Sequence, residues 1–178
     1  MAVDAPSIAA VAAVKLRAER EGEAAAIHAL LQACFPTSAE ADLVTALRAS
    51  GRLALSWVAG ADEGIVGHIG FSPVRTTAGQ KGLGLAPLAV APKQRRQGIG
   101  SQLVRAGLAA AQEAGCRWVV VLGDPDYYSR FGFQPARAYG LSDAYGGGEA
   151  FQLLVLEPGG LPAGGGRVHY APEFAQFS

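Results

Sequence analysis

The apolar positions along the chain change period several times, and each change marks an element. Val14 to Ala18 alternates briefly and predicts a short first strand. Ile27, Leu30, Leu31 and Cys34 then recur at helical spacing over Glu23 to Cys34, and Pro36 closes the segment. Ser38 is placed to cap a second helix with the stripe Leu43, Val44 and Leu47, and Gly51 supplies a stop. Two strands in hairpin arrangement follow, Leu53 to Val58 and Ile65 to Val74, joined by the turn-rich Ala59 to Gly64. Strict alternation in the second strand puts Ile65, Gly67, Ile69 and Phe71 on one face, with Val66, His68 and Gly70 on the other. A turn near Gly79 leads into a further apolar run, Leu83 to Val90.

Beyond residue 98 the helical period returns. Ile99, Leu103, Ala106, Ala110 and Ala114 form a stripe, Val104, Leu108 and Ala111 widen it, and Gly115 fits a C-terminal cap. Trp118 to Leu122 is short, apolar and β-branched, which predicts an interior strand. A short helical piece over Pro125 to Arg130, a strand over Phe151 to Leu156 and a last segment around Val168 and Tyr170 complete the chain, after a Gly- and Pro-rich stretch from Glu157 to Gly166. Strands and helices in this order predict an α/β (α+β) layer fold. At 178 residues the expectation is one domain over residues 14–178, preceded by an N-terminal extension over residues 1–13.

Composition narrows the function classes. Half the residues are hydrophobic, and fifteen basic residues balance fifteen acidic ones, so nothing favours a nucleic-acid or membrane partner. Cys34 and Cys116 stand far apart, outside any metal-ligand spacing, and read as reduced structural thiols with no metal site. The start, MAVDAPSIAAVAAV, lacks a basic n-region and carries Asp4 and Pro6, so it reads as an extension rather than a signal peptide. With no apolar run of ~18 residues, a cytoplasmic protein is expected.

Chemistry concentrates at one corner, Ala91 to Gln102, written APKQRRQGIGSQ. A strand ending at Val90 and a helix opening near Gly98 leave unpaired N–H groups at the positive end of a helix dipole. Gly98 and Gly100 admit a bulky anion to the backbone, and Arg95, Arg96 and Gln97 add charge and donors. The chain lacks Gly-Lys-Ser/Thr, so this is not a Walker loop. A dinucleotide fingerprint needs a glycine where Leu103 stands, which argues against a nicotinamide-binding redox domain. Upstream, Pro87 in GLGLAPLAV cannot donate to a ladder and marks a bulge or an edge. A strand with unpaired amides running into a phosphate-holding turn suits the pantetheine and diphosphate of coenzyme A.

These residues resemble motif A of the GNAT superfamily of acetyltransferases, whose Q/R-x-x-G-x-G/A signature corresponds to Arg95-Arg96-Gln97-Gly98-Ile99-Gly100. VLGDPDYYSRFGFQPA, from Val121 to Ala136, resembles a later GNAT segment with Tyr128 four residues before Gly132-Phe133. With IVGHIGFSPV and RVHYAPEF in order, the chain is similar to the YhbS-like branch of these N-acetyltransferases from about Val14 onward. The resemblance implies a GNAT fold: a mixed, mostly antiparallel, splayed sheet with helices on both faces. It implies an acyltransferase using acetyl-CoA as cosubstrate. Backbone groups of Leu88, Ala89 and Val90 would pair with pantetheine, and Arg95, Arg96, Gln97, Gly98, Ile99 and Gly100 would hold the diphosphate, with Ser101 at the helix start.

The implied reaction is direct attack of a primary amine on the thioester in a ternary complex, with Tyr128 as general acid and the amine carried by a small molecule or a peptide. The alternative is an acyl-CoA-binding sensor or interaction module of the same fold without turnover, favoured by the lack of an acidic residue in Leu83 to Val90. The general base stays open between His68, Asp124, Asp126 and a solvent relay. Tyr127 reads as packing, His28 and His169 as structural or exposed, and Arg130 and Arg137 as solvated unless one reaches a phosphate. A homodimer also stays open.

Overall fold

The computed structural model describes residues 13–177, so the expected extension lies, apart from residue 13, outside the described residues. The central hairpin sets the arrangement of everything else. β2 (Leu55–Ala61) and β3 (Gly64–Thr76) pair antiparallel up to Ala61↔Gly64, which confines the turn to Asp62 and Glu63. The turn is therefore shorter than the Ala59 to Gly64 expected from composition.

One residue in β3 overturns the expected alternation. Ala59 pairs with Gly67 but Gly60 pairs with Ile65, leaving Val66 as an extra residue in a bulge. Since a one-residue slip exchanges faces, Ile65 joins Ile27, Val44 and Val58, while Val66 joins Ile69 and Phe71 on the opposite side. The sequence alternation holds from Gly67 onward only.

Around this hairpin the sheet runs β1-β2-β3-β4-β5-β8-β6. The remaining strands on that path are β1 (Lys15–Ala18), β4 (Lys81–Val90), β5 (Trp118–Leu122), β6 (Gln134–Pro135) and β8 (Phe151–Val155). Neighbours on the path are antiparallel except β4 and β5. β7 (Leu141–Ser142) and β9 (Gly166–His169) pair parallel beside the end of β3.

Helices cover both faces because each carries one apolar stripe. α1 (Ala24–Cys34) and α2 (Ala39–Ala49) bury Ile27, Leu31, Ala41 and Val44 against Val58 and Ala89. Ser38 precedes α2 but donates its hydroxyl to Asp42 at 2.7 Å instead of capping the backbone. On the other face α3 (Ile99–Glu113) buries Ile99, Leu103, Val104, Leu108 and Ala111 against Ile69, Phe71, Val119 and Val121. Full burial of each larger aliphatic side chain contributes roughly 1.5–3 kcal/mol. The stripe is rotated from the expected one, and Ala114 is exposed. Gly107 allows the rotation: a Cβ there would lie 2.6 Å from the Phe71 ring, so the helix seats directly on that ring.

Candidate active site

The site begins where β4 parts from β5. Leu88 pairs with Ile69 and Leu85 with Phe71, so Ala86 and Pro87 together oppose Gly70 in a bulge, one of the two outcomes Pro87 predicts. β4 and β5 pair only at Leu83↔Val119, Gly84↔Val120 and Leu85↔Val121, and then diverge. Ala91 N–H donates to Val66 O at 2.8 Å. By the alternation of an antiparallel ladder, Ala89 therefore turns its polar groups toward β3, while Leu88 and Val90 turn theirs into the opening. Ala89 contributes packing instead, with its side chain buried under α1 and α2.

The opening runs into the start of α3. Arg96 holds φ +63 and Gly98 φ +81, two left-handed residues separated by one. Such a conformation strains a non-glycine residue by ~1–2 kcal/mol, and alternating handedness gathers backbone N–H groups into an anion-binding hollow. Gly98 gives α3 no side-chain cap, and no acidic residue stands in the helix's first turn. The N–H groups of Ile99, Gly100 and Ser101 are thus without helical partners. They border a cleft of about 420 Å³ walled by Arg95, Arg96, Tyr127 and Arg130.

Two of the three arginines at this cleft are engaged by the protein. Arg95 donates from Nε to Val90 O at 3.1 Å and from Nη2 to Cys34 O at 3.2 Å, so its side chain buckles the turn onto β4 and the end of α1. Arg130, read as solvated from sequence, stacks over the Tyr127 ring at 4.5 Å and donates to Ser101 Oγ at 3.4 Å. Arg137 instead pairs with Glu149 away from the cleft. Gln97 is exposed and lies outside the lining, where Gln94 takes its place. Ile99 is buried in the α3 core and reaches the cleft only at its edge.

A second cavity of about 520 Å³ adjoins the first through Tyr127. Its apolar walls include Phe35, Leu85, Pro87, Leu88 and Leu122, and its polar residues are Glu40, Asp124 and Tyr128. Asp124 caps α4 (Pro125–Tyr128) by accepting from Asp126 N–H at 2.9 Å, and Pro125 at the first helical position presets the turn. That short helix aims Tyr127 and Tyr128 back at the divergence of β4 and β5. The Tyr128 ring is wedged edge-on against Tyr127 and Phe133, 5.0 and 5.7 Å between centroids. Burial, with the neighbouring Tyr127, pushes the Tyr128 phenol well above its ordinary range, so it stays a neutral hydrogen-bond donor.

The candidate bases separate clearly. His68 is fully buried, and its Nε2 lies 2.9 Å from Ser56 Oγ, whose own proton is given to Glu19. Ser56 therefore accepts from Nε2–H, which leaves Nδ1 as a lone pair with no partner. Burial, and secondarily the charge of Arg48, holds the His68 pKa down at about 3. Asp126 is exposed, and Asp124 is occupied as a cap. His28 faces Thr45 at 3.2 Å, and His169 is exposed on β9. Burial raises both cysteine thiols, which stay protonated. Sequence reasoning missed Glu40, whose Oε2 is buried without a hydrogen-bond partner. Its position in α2 predicts an ordinary surface carboxylate, and only the tertiary fold brings it to the cavity.

Among the described residues no helix is long and apolar enough to cross a membrane, and no cluster of His, Cys, Asp and Glu could hold a metal ion. A splayed mixed sheet, a bulged fourth strand and an uncapped helix start define the GNAT class of acetyltransferases, and the chain belongs to that family. Residues 52–135 match the family's acetyltransferase (GNAT) domain. The chain is 43% identical over 165 residues to the uncharacterized N-acetyltransferase YhbS of Escherichia coli strain K12, spanning 91% of this chain and 99% of that protein. A crystal structure of E. coli YhbS in complex with CoA superposes with a TM-score of 0.89 at 41% identity, over 94% of each chain. A GNAT acetyltransferase from Brucella melitensis in complex with acetyl-CoA gives 0.76 at 38% identity, over 91% of this chain and 98% of that one.

Proposed function

We propose that this protein moves an acetyl group from acetyl-CoA to a primary amine by direct attack in a ternary complex, with Tyr128 as general acid. The observation that carries this reading is the continuity of the opening. Strand β4 leaves β5 after Leu85, and its far end leads through the turn over 91–98 to the uncapped start of α3. Pantetheine amides would pair with Leu88 and with the Val90 N–H, since the Val90 carbonyl already accepts from Arg95 and Cys34. The diphosphate would rest on the N–H groups from Arg96 to Ser101, with Arg96 and Arg130 supplying charge. The CoA and acetyl-CoA held by the E. coli and Brucella relatives support this assignment.

The thioester carbon would then lie near the Ala86–Leu88 bulge, facing Tyr128. As the C–N bond forms and the C–S bond breaks, the electron pair goes to sulfur. A thiol of ordinary pKa ~8.5 yields a thiolate less basic than a phenolate of ~10. Burial raises the phenol further, so Tyr128 assists mainly by a strong O–H donation to sulfur, with transfer completed as solvent replaces the proton.

A second reading, an acyl-CoA-binding sensor without turnover, is favoured by the absence of acidic residues from β4. Two measurements test both. Calorimetric titration with acetyl-CoA is expected to give binding that Gly98→Glu abolishes, since the new side chain and charge enter the anion hollow. Thiol release in the presence of primary amines, reduced about 10²-fold by Tyr128→Phe, marks an enzyme. Binding without thiol release marks the sensor, and no binding by folded protein refutes both.

A further inference from the structure

We propose that Glu40 receives the ammonium end of the acceptor and takes its proton, and that the acceptor is a monocationic primary amine on an apolar stem. This rests on the acetyl-transfer reading above. Glu40 is the second residue of α2, and its side chain lines the cavity that also holds Tyr128. Its Oε2 is out of contact with solvent, yet no group among the described residues bonds to it. An orphaned buried acceptor is destabilising, so a fold retains one chiefly where another molecule supplies the partner.

Other acids near the helical layer have protein partners, although Glu173 Oε2 is likewise buried and unpaired among the described residues. Glu23 is clamped by Arg17, Glu19 by Arg48 and Ser56, Glu173 by Arg52, and Asp42 by Ser38. Asp124, across the same cavity, gives its Oδ1 to capping α4. Among the described residues Glu40 forms no salt bridge, while the apolar walls around it include Phe35, Leu85, Pro87, Leu88 and Leu122. Glu40 is the carboxylate of this lining that accepts no hydrogen bond from the described residues, and in these apolar walls it matches an ammonium on an apolar stem. Walls this apolar disfavour a polyamine or an amino sugar, whose further charges and hydroxyls outnumber the partners offered.

The proton balance closes. The bound ammonium gives one proton to Glu40, which passes it to water along its solvent-exposed side. The freed amine attacks the thioester carbon, the C–N bond forms, and the nitrogen's second proton moves to Glu40, which passes it to water in turn and is restored as a carboxylate. The C–S bond breaks, sulfur keeps the electron pair and takes a proton from Tyr128, and water restores the phenol. The net result is an amide, a thiol and one released proton.

The test uses acetyl-CoA and 2-phenylethylamine with the parent protein, Glu40→Gln and Glu40→Leu. Thiol release is followed from pH 6 to 10, acetyl-CoA binding by calorimetry and the thermal midpoint by circular dichroism. The expected result is that Glu40→Gln binds acetyl-CoA as the parent does but loses about 10²-fold or more in kcat/KM for the amine. Its residual rate should climb more steeply with pH than the parent's, because hydroxide must replace the missing base on top of the rising free-amine fraction. Glu40→Leu should be inactive yet melt higher than the parent, because the orphaned oxygen is gone. A purely structural Glu40 would leave the pH profile unchanged and lower the midpoint in both variants.

Parent-like turnover by Glu40→Gln, or a parent-like pH profile, overturns the role of Glu40. A parent that binds acetyl-CoA and acetylates spermidine but not 2-phenylethylamine overturns the acceptor class. Failure of the folded parent to bind acetyl-CoA refutes acetyl transfer itself, and this inference with it.

Discussion

Lowering the pH from 7.5 to 5 should destabilise this protein by about 2 kcal/mol through His68 alone. In the folded state burial holds the imidazole pKa at about 3, against 6.5 for an unencumbered histidine. The unfolded chain therefore begins to take up a proton as pH falls through 6.5, while the folded chain refuses it until near 3. Stability is complete above the unfolded value and drains away as pH drops between the two. At pH 5 the unfolded state is favoured by a factor of about 30, or 1.5 decades at ~1.4 kcal/mol each. The geometry supplies the reason: Nδ1, the atom that would be protonated, has no acceptor, and Ser56 already occupies Nε2. Glu23, pulled down to about 2 by its hydrogen bond from Arg17, does not enter this window. Its contribution is lost only below the ordinary carboxyl value of 4.5. Urea denaturation at half-unit steps between pH 7.5 and 5 should show the loss in the parent, while His68→Gln, less stable at every pH, should show a nearly flat profile. A parent as flat as the variant, or a variant as steep as the parent, would refute the argument.

Arg95→Met keeps the aliphatic stem but removes the bonds to Val90 O and Cys34 O. With the turn released, acetyl-CoA binding should weaken about fivefold, or ~1 kcal/mol, by calorimetry; unchanged affinity would mean the turn holds its shape unaided. Gly107→Ala gains about 1 kcal/mol in helix propensity but drives a methyl to 2.6 Å from the enclosed Phe71 ring. Overpacking of this kind costs about 1–3 kcal/mol, so a net destabilisation of about 1 kcal/mol is expected in urea melts. Arg130→Gln should make acetyl-CoA affinity less sensitive to added salt, because one cation leaves the anion cleft.

Local signals carried much of the architecture. Helical spacing and the Pro36, Gly51 and Gly115 stops located α1, α2 and α3 to within a residue or two. Pro87 announced the break in β4 because its chemistry forbids a ladder bond wherever it stands. The Val66 bulge was invisible: which residue is left over depends on the register of β2 against β3, and alternation alone assumes there is none. The turn of the α3 stripe depended on the Phe71 ring seated at Gly107, a contact across 36 positions of sequence (107 − 71). The anion corner was legible because backbone conformation makes it, and glycine spacing encodes backbone conformation. Glu40 and Arg130 were not, since a charged residue on a helix or a turn looks the same from sequence whether it faces water or a cavity.

The three residue pairs joining β4 to β5 are a short seam between two half-sheets. Beyond Leu85 α3 still packs across both halves, but among the described residues no strand pairing bridges the gap. A ligand lying along Leu88 and Val90 would act as a provisional strand, completing the sheet for as long as it stays. Amide exchange at those positions and the resistance of the two halves to parting would then track coenzyme occupancy, and the molecule would be loosest in the interval between losing its product and gaining the next donor.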